Sequence, residues 1–65
     1  MSRRAMQESL TIDLQHQLDA RTITQDLHQK AIQVVHAFTS ADWKDLNNMS
    51  TVAASEMVLE IARNK

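Results

Sequence analysis

The chain predicts an all-α fold, a small bundle of three to four short helices. Apolar residues recur at helical spacing in successive segments. Serine and threonine stand where those segments would begin, in the role of helix caps. The chain has no glycine and no proline, few aromatics, and many Gln, Leu, Ala and Asp, so strand propensity is low throughout.

The first helix is predicted over Arg3 to Asp19, with Ser2 as its cap. Met6, Leu10, Leu14 and Leu18 recur every four residues and form one stripe. Arg3 and Arg4 sit at the positive end of the helix dipole, where cations are unfavourable. Ile12 falls on the opposite face with Ala5, either as a single exposed apolar residue of the kind most surfaces carry or as part of a second contact surface. Ala20 to Thr24 reads as a turn. Thr24 caps the next helix, with Ile23 buried just before it and Asp26 in the first turn. Thr22 with Gln25 forms a competing capping pair two residues earlier.

The second helix spans Gln25 to Phe38. Leu27, Ala31, Val34, Val35 and Phe38 make its stripe, and Ile32 widens it. A short connection between two amphipathic helices predicts an antiparallel α-hairpin. Thr39 to Asn48 forms a corner of one or two helical turns, with Ser40 as its cap, Asp42 in the first turn, and Trp43 and Leu46 apolar three apart. It ends at Asn47-Asn48, since asparagine tolerates left-handed backbone.

Ser50 caps the last helix, Thr51 to Asn64, which is apolar around most of its circumference. Ala53, Met57 and Ile61 lie along one line of the wheel; Val58, Ala62 and Leu59 lie along another. Glu56, Glu60 and Arg63 share a narrow polar strip. A helix apolar nearly all round is covered by neighbours on several sides, and a chain of 65 residues has few helices to spare. The prediction is therefore a homodimer that completes the bundle, with Val52, Val58 and Leu59 at the intermolecular contact. Met57 and Ile61 are candidate interface residues beside them, and Met49 and Met57 candidate soft contacts. Trp43 is either an anchor of the corner or a hot spot at an interface.

Sixty-five residues make one domain, 1–65, whose stability on its own is marginal. Small folds compensate with disulfides, metal or oligomerisation. The chain has no cysteine, which removes disulfides and thiolate sites. Seven Lys and Arg against eight Asp and Glu give a net charge of −1 with the signs interspersed, which is no footprint for phosphate binding. No apolar run reaches the roughly 18 residues of a membrane span, and no apolar segment of signal-peptide type follows Met1–Arg4. The expectation is a soluble, cytoplasmic protein that does not enter membranes.

Chemistry is sparse. His28 and His36 lie eight apart and face different directions, His16 is on another helix, and no metal-ligand motif accompanies them. No metal and no cofactor are expected. His28, between Val35 and Ile32 on the wheel, is placed at the edge of the core; its functional reading is a pH or phosphorylation switch. Without glycine there is no nucleophile elbow and no phosphate-cradling loop. A small bundle also rarely encloses a water-excluding pocket, so the chain is not expected to be an enzyme.

The segments Leu18–Val35 (LDARTITQDLHQKAIQVV) and Met57–Lys65 (MVLEIARNK) resemble, in their order, the helical regulatory domains of sugar-phosphotransferase-controlled transcription factors. The resemblance implies a helical bundle. The chain is shorter than such a domain and lacks its histidine-bearing end motif, so no functional residue carries over.

The sequence thus predicts a non-catalytic helical homo-oligomer that acts as a regulator or adaptor by binding an unidentified protein. The alternative is a small dimeric DNA-binding transcription regulator. It would use the second helix, which exposes Gln25, Gln29, Gln33 and Lys30, or the Arg3–Arg4 arm. The charge disfavours nucleic acid without excluding it.

Overall fold

Four side-chain caps divide the chain into four helices in the computed structural model, which describes residues 2–65. α1 spans Arg3–Asp19, α2 Gln25–Ala37, α3 Ser40–Leu46 and α4 Thr51–Arg63. No strand occurs among the described residues. Met1, the first residue of the domain expected over 1–65, lies outside them.

Three caps stand where the sequence puts them. The hydroxyls of Ser2, Thr24 and Ser50 accept from the N–H groups of Ala5 at 3.1 Å, Leu27 at 3.1 Å and Ala53 at 3.2 Å. Each satisfies an amide that a helix start leaves without an intrahelical partner. The fourth cap is Thr39, and the assignment to Ser40 is corrected. Asp42 lies three residues after Thr39: its Oδ2 accepts from the Thr39 N–H at 2.9 Å, while Thr39 Oγ1 accepts from the Asp42 N–H at 3.3 Å. Three residues after Ser40 stands Trp43, which has no acceptor for the reciprocal bond.

α1 ends without glycine in a turn that normally favours it. The Thr22 N–H reaches the Gln17 carbonyl at 3.0 Å and the Arg21 N–H reaches that of Leu18 at 3.0 Å. This is the double closure of a Schellman motif. It places Arg21 at φ 62°, in the left-handed region, at a steric cost that a Cβ imposes and glycine would not. The next residues turn the chain back, so that α2 packs against α1. Ile23 is buried in the turn, and Leu18 and Leu27 pack against the core on either side of it.

One core joins all four helices. Met6, Leu10 and Leu14 enter it from α1, Ala31, Val34 and Val35 from α2, Trp43 and Leu46 from α3, and Ala54, Val58, Leu59 and Ala62 from α4. α4 lies against both α2 and α1, with its most extensive contact to α2. Its buried residues, including Ser55, occupy an arc of about 140° at 100° per residue. Two helices can share that arc because three of its five residues are Ala or Ser, which let neighbouring helices come close. Covering this face therefore takes no second chain.

Candidate functional site

Between the end of α2, the α3 corner and one edge of α4 lies an open, shallow groove. Its apolar surface is supplied by Phe38, Met49, Met57 and Ile61, and its rim by Asp42, Asp45 and Asn48. Each part is held by a local feature of the chain.

Phe38 follows the last residue of α2. Its backbone is extended, at φ −63° and ψ 136°, so the chain leaves the helix there. The ring meets the Trp43 ring edge to face, with centroids 5.4 Å apart and planes at 88°, a favourable arrangement of aromatic quadrupoles. Trp43 and Leu46 are buried and fix α3 to the core. The Arg3 guanidinium lies 5.6 Å from the centre of the Trp43 ring. This cation–π contact offsets the unfavourable position of Arg3 at the start of α1.

With Trp43 and Leu46 turned inward, Asp42 and Asp45 lie together along the groove side of α3. Asp42 uses a single carboxylate oxygen, Oδ2, for its bonds to the Thr39 N–H and hydroxyl. Neither Asp42 nor Asp45 is in an ion pair among the described residues. The pairs there are Arg4–Glu8, Lys30–Asp26 and Arg63–Glu60, all within one helix and exposed. After α3 the Met49 N–H closes on the Leu46 carbonyl at 2.9 Å, and the Met49 side chain packs half-buried on the core. Across from it stand Met57, half-buried, and Ile61, 36% exposed, one turn apart on α4.

The sequence candidates fall into three groups. Met57 and Ile61 come together in this groove, and Met49 joins them. Val58 and Leu59 do not: at 0% and 4% exposure they lie in the core of their own chain. Their assignment to an intermolecular contact is corrected, because α4 turns this line toward α1 and α2. Trp43, at 3% exposure, is likewise an anchor of the corner in the core. Val52 is 63% exposed but is alone on the other edge of α4, about half a turn from Ile61.

His28 is half-buried on α2, at the edge of the core. No group of three or more His, Asp or Glu able to hold a metal occurs among the described residues. Ile12 is 57% exposed, as expected of the outer face of α1. No described helix is long and apolar enough to cross a membrane.

Two parts of the groove escaped the sequence reading. Phe38 was counted in the stripe of the second helix, whereas it stands one residue beyond that helix. The pair Asp42 and Asp45 carried a usable signal: two carboxylates three apart share one side of a short helix, next to the face of Trp43 and Leu46. Comparison with protein-family models, with curated proteins and with solved structures finds no match for this chain.

Proposed function

We propose that the chain is a non-catalytic binding module of regulator or adaptor type, which docks another protein in the groove of Phe38, Met49, Met57 and Ile61. The observation that carries this reading is the concentration of partly exposed, flexible apolar side chains in one concave place beside a polar rim. Thioether side chains adapt to irregular partners and are common on binding surfaces. The arrangement suits an apolar anchor better than it suits bond-making chemistry, which wants a closed pocket with converging polar groups.

The distribution of base supports a protein partner over nucleic acid. Arg4, Lys30 and Arg63 are paired within their helices and Arg3 lies over Trp43. Arg21 lies in the turn between α1 and α2, Lys44 on α3 and Lys65 beyond the end of α4. A homodimer through Val58 and Leu59 is disfavoured because both are covered within the chain, and the apolar residues of α4 that stay accessible, Val52 on one edge and Met57 with Ile61 on the other, do not form one face.

Site-specific photo-cross-linking from position 61 in the native host, with position 12 as control, tests the reading. A discrete partner captured from position 61 alone, and lost when Met57→Asp is introduced into a chain that keeps its helicity, is the expected result. Equal capture from both positions contradicts it.

A further inference from the structure

Resting on that reading, the charge of the groove narrows the kind of partner it accepts. We infer that the groove takes a basic amphipathic helix, whose apolar side chains lie on Met49, Met57 and Ile61 and whose Lys or Arg residues face Asp42 and Asp45. Three observations lead there.

Both rim carboxylates lie beside apolar surface with no cationic partner among the described residues. Lys44, the one base within α3, does not line the groove. Asp42 spends only Oδ2 on the helix cap, which leaves Oδ1 to accept from a ligand. An apolar floor with anionic groups along one side complements an apolar stripe with flanking base, the pattern of a helix that lies in a groove. It penalises an acidic helix by placing like charges together, so the rim supplies selectivity as well as attraction.

The variant for the test follows from the roles of the two acids. Replacing Asp42 removes the capping box and disturbs α3 itself. Asp45 is exposed, is outside the cap, and sits near the negative end of α3, where a cation is favourable. Asp45→Lys therefore leaves the fold intact while reversing the rim charge.

The probes are two synthetic amphipathic helices of equal length, one of Leu and Lys and one of Leu and Glu, added to the full chain carrying labelled methionine methyl groups. Met49 and Met57 report on the groove, and the buried Met6 serves as the internal control. The expected result is that the Leu/Lys helix shifts the Met49 and Met57 signals and leaves that of Met6. Its binding should weaken about threefold to tenfold in Asp45→Lys and fall as salt is raised.

Equal binding of the Leu/Glu helix, or no change in Asp45→Lys, overturns the basic-helix inference and leaves groove docking standing. Binding of neither peptide at the methionines overturns it too, while cross-linking from position 61 still judges the docking reading separately. Met49 and Met57 signals that move on dilution without peptide identify a second copy as the occupant and overturn it as well.

Discussion

α1 buries one row of large side chains, whereas α4 buries a wide arc of mostly small ones. Met6, Leu10 and Leu14 follow one another at four-residue spacing along α1, and its outer face is left to polar residues and Ile12. α4 buries Ala54, Ser55, Val58, Leu59 and Ala62, which reach around toward two neighbours. The large row lets α1 fill the core from one side. The small residues let α4 be approached from more than one side without its neighbours being held apart. A wide apolar arc in a small protein thus reads first as a face shared between two helices of its own chain, and only then as an interface.

The largest effect should come from placing a charge in the middle of the α4 arc. Val58→Asp puts an unpaired carboxylate at a fully buried position, a penalty exceeding what a domain of this size can absorb. Loss of the helical circular dichroism signal is expected; a variant that stays helical and folded would refute the placement of α4.

In the α1 row, Leu14→Ala removes a fully buried side chain and should cost about 2–5 kcal/mol in denaturant unfolding. A change within about 0.5 kcal/mol would mean the row faces water.

Ser55 sharpens the contrast, since its Oγ is buried within the arc without a hydrogen-bond partner. Ser55→Ala removes an unsatisfied oxygen and improves helix propensity, so stability should rise by about 1 kcal/mol. A loss of stability would mean that the hydroxyl is satisfied, for example by the carbonyl one turn earlier.

The smallest effect belongs to the exposed edge. Val52→Asp at a 63% exposed position should shift stability by no more than about 0.5 kcal/mol. A large loss there would place a neighbour over Val52.

Much of the fold was legible because helix starts are local chemistry. Ser2, Thr24 and Ser50 each need only one oxygen and an amide three residues on, and both are visible in the sequence. Thr39 was missed by one position because two hydroxyls stand side by side, and only the partner at Asp42 chooses between them. The direction in which α4 faces was not legible. The wheel arranges Val58 and Leu59 on one side and Met57 and Ile61 on another, but both sides are apolar. Which side meets α1 and α2 depends on long-range packing. Composition hid the groove for the same reason, since its parts come from the end of α2, the side of α3 and the edge of α4.

The central claim is that one chain covers the α4 arc by itself, and thermal unfolding across a wide range of protein concentration tests it most directly. Folding completed within the monomer gives a circular dichroism midpoint that does not move over about a hundredfold dilution, whatever partner the groove later takes. A midpoint that falls steadily on dilution would tie folding to association. It would return α4 to the role of a shared helix between two chains.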